Sequence, residues 1–506
     1  MRLSKTTLPQ LQPQPGHVLP SQEQFELPEK VLQFGTGVLL RGLPDYFIDK
    51  ANRQHLFNGR IVVVKSTSTG SSDAFDRQDG LYTLCIKGLE QDQLIEESII
   101  NASISRVLSA SDSWNEILQT AHNPAMQLII SNTTEMGIVL ADDALTSGPP
   151  GSFPGKLTAW LLERFNAFQG DASKGMVIIP TELITDNGST LRSIVLELAA
   201  RQSNIDPAFI DWLKQHNHFC NSLVDRIVPG KLPEADHAAI ESRLGYQDEL
   251  LIMAESFRLW AIETNDERVR KLLSFATADT GVVIAPDISR FRELKLRLLN
   301  GTHTFSSGLA VLAGFESVKQ AMSNDAFEGY VKQLMREELA PATQNDQITL
   351  EQALEYSDSV LDRFRNPFLH HRWLSITLNF TSKMRLRNIP LLIRKHRKDG
   401  VVPGCMSLGF AAFLLFMRCS PTADGIYVGK AGGQTYTVQD EQASYFSHLW
   451  EAANADALVV SVLSNVALWG LDLSTLDGLI ESVSKDLHQL IQEGASAVIV
   501  NREYNK

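Results

Sequence analysis

Short β-rich runs alternate with longer helical stretches through the first 288 residues of this chain, which is the pattern a sheet built from βαβ units requires. Residues 30–34, 61–65, 127–131, 176–180 and 282–285 read as strands. Residues 111–122 and 156–168 between them have helical spacing, the first opened by a Ser or Asp suited to capping. Beyond Ile288 the strand signal fades and long helical segments take over, at 294–313, 327–340, 350–364 and 473–492, with 400–403 and 425–439 as loops or small hairpins. The expected organisation is an α/β domain over residues 1–288 followed by a mainly helical domain over 289–506. With 506 residues, 43% of them hydrophobic, the chain can bury a sizeable core, and it shows no internal repeat.

The first strand runs directly into Gly35-Thr36-Gly37, ahead of the helical stretch 38–48. Glycines at a strand-to-helix turn let the backbone approach a pyrophosphate, and a helix N-terminus supplies amide donors and positive potential. The motif therefore predicts a Rossmann-like, doubly wound first domain that binds a dinucleotide. The match is partial, because Leu40 stands at the usual third glycine position and Gly42 follows two residues later. A site for NAD usually closes its second strand with an acid that accepts from the ribose 2′-hydroxyl. Here that strand ends Val64-Lys65-Ser66-Thr67-Ser68-Thr69-Gly70, so chemistry alone leaves NADP open.

The second domain opens on a run that carries polar chemistry in apolar surroundings, Lys295-Leu-Arg-Leu-Leu-Asn300-Gly-Thr-His303. At about 100° per residue, Lys295, Asn300 and His303 fall within one helical arc of about 140° and can converge on one small molecule. Burial disfavours the ammonium form of a lysine, which turns an inert cation into a proton-transfer group. Spacing alone also fits a solvated helix face.

Charge and cysteine content narrow the partners. A net charge of −13 and the lack of a dominant basic block argue against nucleic acid or an anionic membrane surface and favour a small-molecule ligand. Cys85, Cys220, Cys405 and Cys419 are scattered without a Cys-x-x-Cys pair, as in reduced, cytoplasmic proteins. His216 and His218 are two residues apart and cannot share a helix face, and no cysteine stands at ligand spacing, so no metal is expected. The first 16 residues carry no apolar run of the secretory kind, and the longest apolar stretch, 408–417, is about half the ~20 residues a bilayer crossing needs.

Ordered motifs along most of the chain then resemble the long-chain polyol dehydrogenases of the mannitol dehydrogenase family. They include Gln33-Phe-Gly35-Thr-Gly37 with Leu40-Arg41, Gln78-Asp-Gly-Leu-Tyr82-Thr, Ser131-Asn-Thr-Thr-Glu135, Pro180-Thr-Glu-Leu-Ile184 and Leu223-Val-Asp225-Arg226-Ile227-Val228. Leu299-Asn300-Gly301-Thr302-His303-Thr304 and Arg363-Phe-Arg-Asn366-Pro367-Phe368 follow in the helical part. The resemblance implies metal-free hydride transfer between a nicotinamide and the carbon of a polyol or ketose. It makes Lys295 the acid/base, gives Asn300 and Asn187 the task of polarising the oxygen, and has His303 orient a substrate hydroxyl. It places Gly35, Thr36, Gly37, Leu39 and Glu135 on the cofactor side, Asp225 beside the substrate, and favours NADH over NADPH. Taken singly, Asn187-Gly188 reads as a turn, Asp225-Arg226 as an ion pair, His303 as a structural histidine and Glu135 as a helix cap.

The substrate turns on the segment after Asn366-Pro367. Neutral-polyol members of the family carry an acid, then an Arg, then a Lys eight residues beyond; this chain has His371, Ser375 and Lys383 there. Exchanging an acid for His371 removes a charge that would repel a carboxylate, and Lys383 remains to attract one. The resemblance therefore implies reduction of a sugar acid, D-tagaturonate to D-altronate with NADH, as in hexuronate breakdown. D-fructuronate, a neutral polyol such as mannitol, and a non-catalytic nucleotide-binding or sugar-sensing role are the alternatives. His370, His371 and Arg372 also fit a plain basic helix face, and oligomeric state is not fixed by these residues.

Overall fold

The computed structural model describes residues 1–12, 14–66, 73–133, 136–203, 205–502 and 504. The chain forms two compact units, one made of Met1–Gly88 with Leu94–Ile288 and the other of Leu89–Gln93 with Ser289–Lys506.

A six-stranded, fully parallel sheet organises the first unit: β1 (Glu29–Phe34), β2 (Arg60–Lys65), β3 (Ile104–Ser109), β4 (Leu128–Ser131), β5 (Val177–Pro180) and β6 (His218–Phe219). Their spatial order is β3-β2-β1-β4-β5-β6, the doubly wound dinucleotide-binding order. Successive strand residues point to opposite faces, and both faces are buried. Val31, Ile61, Val63, Leu128, Ile130, Val177 and Ile179 pack into one core, whereas Leu32, Val62, Val64, Ile129 and Ile178 pack into another beneath the Phe153–Ala167 and Asn187–Arg201 helices.

Residues 282–285 correct the expectation. They form a strand, but in a separate three-stranded sheet with Ser222–Asp225 and Leu259–Glu263, whose first pair is antiparallel. A further sheet joins His17–Val18, Gln93–Asn101, Tyr82–Glu90 and Ile252–Ala254. The stretch 111–122 also comes out shorter, as Trp114–Gln119 with a 3₁₀ turn, and Ser113 makes no side-chain cap bond.

Just beyond β1 the stretch 38–48 breaks into Val38–Gly42 and Pro44–Arg53. Pro44 has no N–H to give to the Leu40 carbonyl, which accepts from the Leu43 N–H at 3.4 Å, and the Gly42 carbonyl at the break accepts from Arg226 Nη1 at 2.7 Å. Asp45, in the first turn of the second helix, is fully buried, and desolvation pushes its pKa from the ordinary 3.8 to about 8 against the opposing pull of Gln33 and Arg41. A carboxyl whose folded value is raised gives its full stability below the unfolded value, and that stability is lost as pH rises toward about 8. Asp45→Asn removes the titration. The variant should lose less melting temperature than the wild type between pH 5 and pH 9, by several degrees at about 2–4 °C per kcal/mol. Parallel melting curves over that window would remove Asp45 from the account.

The second unit is helical around one core, and the hairpin expected at 425–439 forms as Tyr427–Ala431 and Gln434–Thr437, with Cys419–Pro421 adding a third strand. Its expected long helices at 294–313 and 327–340 contain π-helical turns, Lys295–Asn300 and Leu334–Leu339, and a third follows at Met384–Asn388. Among the described residues no helix is long and apolar enough to cross a membrane.

Candidate active site

In the first unit the glycine turn leaves the end of β1. Gly35 has φ +124°, donates its N–H to the Val64 carbonyl at 3.0 Å, and would put a Cβ 2.8 Å from the Asn132 carbonyl oxygen, so only glycine suits the position. Gly37 is exposed and a Cβ there would meet nothing within 4 Å, which leaves its backbone open to a ligand. Thr36 and Leu39 flank it, partly exposed. Glu135 and the segment 67–72, on which the expected cofactor contacts and the ribose reading partly fell, lie outside the described residues.

Two buried side chains not singled out individually by sequence reasoning hold the neighbouring strand ends. Glu182 accepts from Ser131 Oγ at 3.1 Å and from the Thr133 N–H at 2.9 Å, tying the ends of β4 and β5. Arg41 donates to the Leu250 carbonyl at 2.5 Å.

Asn187 is 1% exposed at the start of the Asn187–Arg201 helix, and it is not a turn residue. Its Nδ2 lies 3.0–3.1 Å from the carbonyls of Pro180, Glu182 and Ser222, and its Oδ1 accepts from the N–H groups of Gly188 and Ser222 at 2.9 Å. An amide carries two donor hydrogens. Here the backbone engages both. Gly188 is equally constrained, since a Cβ would sit 2.5 Å from the Cys220 backbone. Asp225, 5% exposed, ends the Ser222–Asp225 strand, while Arg226 turns its guanidinium to the carbonyls of Glu255 and Gly42.

The Lys295 run lies in the second unit, and its geometry departs from the helix assumed for it. Residues Lys295–Asn300 form a π turn with i→i+5 bonding, so Asn300 follows Lys295 by one widened turn. Both are partly exposed, whereas Arg297, Leu298 and Leu299 are buried. Arg297 fixes this turn to the π turn at Met384–Asn388: it pairs with Glu293 at 3.0 Å and donates to the Leu386 and Arg387 carbonyls at 2.8 and 2.7 Å. Asn388 Nδ2 adds a bond to the Gly301 carbonyl at 3.1 Å.

His303, on the Gly301–Leu312 helix, stacks on Phe364 at 4.2 Å and meets the edges of His371 and Trp373 at 5.2 and 5.8 Å. Its Nδ1 is buried with no hydrogen-bond partner. Burial first, then the charges of His371, Arg363, Arg387 and Lys383, hold its pKa well below 6.5, so the ring is neutral near pH 7. His371 is lowered by burial and by Arg363 and Lys383. Lys383, whose Nζ donates to the Ile376 carbonyl at 2.8 Å, is brought down to about 8 by burial and by Arg387. The structure thus gathers His303, His371 and Lys383, and adds Arg363 and Arg387 to them. Ser375 stands apart from this chemistry: it is exposed and donates its hydroxyl to the Arg372 carbonyl at 2.7 Å.

Lys383, Arg363 and Arg387 thus place positive charge around two imidazoles that are each held below their ordinary pKa. Among the described residues, no three His, Cys, Asp or Glu side chains are grouped so as to hold a metal ion. The four cysteines are free and buried.

Residues 29–273 match the mannitol dehydrogenase Rossmann domain and residues 287–491 the mannitol dehydrogenase C-terminal domain. The altronate oxidoreductase of Yersinia enterocolitica is 37% identical over 481 residues, covering 93% of this chain and 96% of its own. That of Bacillus subtilis is 36% identical over 474 residues, covering 93% and 94%. Two solved structures share the fold. Mannitol 2-dehydrogenase of Pseudomonas fluorescens, a ternary complex with NAD and D-mannitol, is 22% identical with a TM-score of 0.66 over 99% of each chain. A substrate-free D-sorbitol dehydrogenase is 21% identical with a TM-score of 0.77 over 99% of this chain and 100% of its own.

Proposed function

Since the chain belongs to the mannitol dehydrogenase family and is an oxidoreductase acting on CH–OH groups, we propose that it reduces the keto group of a sugar acid with NADH, D-tagaturonate giving D-altronate, without a metal. The observation that carries the substrate class is the set of cations, Lys383, Arg363 and Arg387, gathered around the imidazoles of His303 and His371. A neutral polyol has no charge to offset that repulsion, whereas a carboxylate relieves it. The names of the relatives at 36–37% identity point the same way.

The residues at the glycine turn fit a dinucleotide: Gly37 leaves room for a pyrophosphate, and Gly35 keeps the turn close to the sheet. A bound nicotinamide would supply the hydride. Lys295 donates the proton that the reduced oxygen requires, from its ammonium Nζ, and recovers it from solvent. In the reverse direction it takes the hydroxyl proton. Asn300, partly exposed one π turn away, donates a hydrogen bond to the same oxygen as negative charge develops there. His303, neutral and held flat on Phe364, offers Nδ1 to a substrate hydroxyl. In this role Asp225 holds a further hydroxyl.

The test is NADH oxidation measured side by side with D-tagaturonate, D-fructuronate and D-fructose. The expected order of kcat/KM has D-tagaturonate first and D-fructose last by at least tenfold. A preference for D-fructose overturns the carboxylate reading, and full loss of activity after treatment with a strong chelator overturns metal independence.

A further inference from the structure

Resting on the sugar-acid reading above, we propose that Arg387 is a specificity-determining residue that anchors the substrate carboxylate together with Lys383. The two side chains are four residues apart on one helical segment, and so share a face of it. Arg387 Nη1 approaches Thr304 Oγ1 at 3.3 Å, and that hydroxyl in turn donates to the Asn300 carbonyl at 2.8 Å. The guanidinium is thereby set against the segment that bears Asn300 and His303. Its backbone is fixed as well, through the Arg297 bond to the Arg387 carbonyl at 2.7 Å.

Among the described residues no carboxylate pairs with Arg387, and burial alone accounts for the lowering of its pKa. Asp440, the acid whose charge reaches Lys383, is engaged by the N–H and hydroxyl of Thr381 at 2.7 and 2.9 Å. A planar fork left with one weak neutral partner beside a lysine suits bidentate capture of a carboxylate, which a lysine alone cannot provide. The buried, unpartnered Nδ1 of His303 lies in the same cluster and marks where the ligand's hydroxyls meet the protein. Arg387 also supplies a positive charge that Ser375 does not.

The experiment compares steady-state kinetics of the full chain with D-tagaturonate, with D-fructose and with varied NADH. Arg387→Leu should raise the KM for D-tagaturonate at least tenfold and lower the tagaturonate-over-fructose ratio of kcat/KM by a similar factor. Arg387→Lys keeps a charge without the fork and should fall between the two, which also serves if the leucine variant does not fold. Arg385→Leu removes an exposed charge two residues away and should leave the ratio unchanged. A wild-type ratio in both Arg387 variants, an equal loss on both sugars, or an effect confined to the KM for NADH overturns the assignment of Arg387 alone. A wild-type enzyme that prefers D-fructose overturns the sugar-acid reading and this one with it.

Discussion

Lys295→Ala should lower kcat by at least ~10³-fold while leaving NADH affinity within about threefold of wild type. The two parts of that result come from different parts of the chain. Lys295 opens the π turn of the helical unit, whereas the glycine turn expected to hold the dinucleotide belongs to the first unit. Truncation at Cβ removes the group that shuttles the proton and leaves the buried residues of the turn, Arg297 to Leu299, in place. General acid–base groups contribute about 10²–10⁴ to rate, and hydride transfer to a carbonyl without a proton donor leaves an alkoxide charge that Asn300 alone must carry. Lys295→Arg sharpens the expectation. It keeps the positive charge but cannot give up a proton near neutral pH, so it should be nearly as slow as Lys295→Ala if proton transfer is the role, and mostly active if the role is electrostatic only. Undiminished turnover in Lys295→Ala would sink the mechanism, and loss of NADH binding without a kcat defect would move Lys295 to the cofactor.

How much of this could be read beforehand depended on whether the relevant physics was local. The strands of the six-stranded sheet are short apolar runs with turn residues at both ends, and that signature is contained within each run. Strand Gln93–Asn101 is different: its first half is mostly exposed, Leu94 included, and only its second half is buried, so no period marks it. Ser222–Asp225 is too short to announce itself and takes its place through pairing with Leu259–Glu263. The π turns were invisible for another reason. One extra residue per turn leaves the apolar pattern of a helix nearly unchanged, yet it alters which side chains stand over one another, and the relation of Lys295 to Asn300 depends on it. Arg385 and Arg387 likewise read alike, two arginines either side of Leu386. Folding half-buries Arg387 and leaves Arg385 exposed, a distinction no spacing rule carries.

Asn187 is clasped by backbone groups at both ends of its amide, and its variants should show what that clasp is worth. Asn187→Ala should destabilise the first unit by about 3–5 kcal/mol, because the three carbonyls and two N–H groups it serves are left buried and short of partners. Asn187→Asp is the sharper variant. A carboxylate can still accept from Gly188 and Ser222, but it can donate to none of the carbonyls of Pro180, Glu182 and Ser222, and it brings a negative charge against them. Loss of melting temperature should therefore be as large for Asn187→Asp as for Asn187→Ala, with activity falling in step with the folded fraction. A residue that only polarises the substrate oxygen behaves otherwise: its removal slows kcat by about 10² or more and leaves the melting temperature unchanged. Thermal unfolding of the two variants beside kcat at a temperature where both are folded separates these cases. The clasp also explains why the dipeptide Asn187-Gly188 misleads as a turn. Its asparagine bonds to Ser222, 35 residues further along the chain, and its glycine is needed because the Cys220 backbone passes within 2.5 Å of where a Cβ would be.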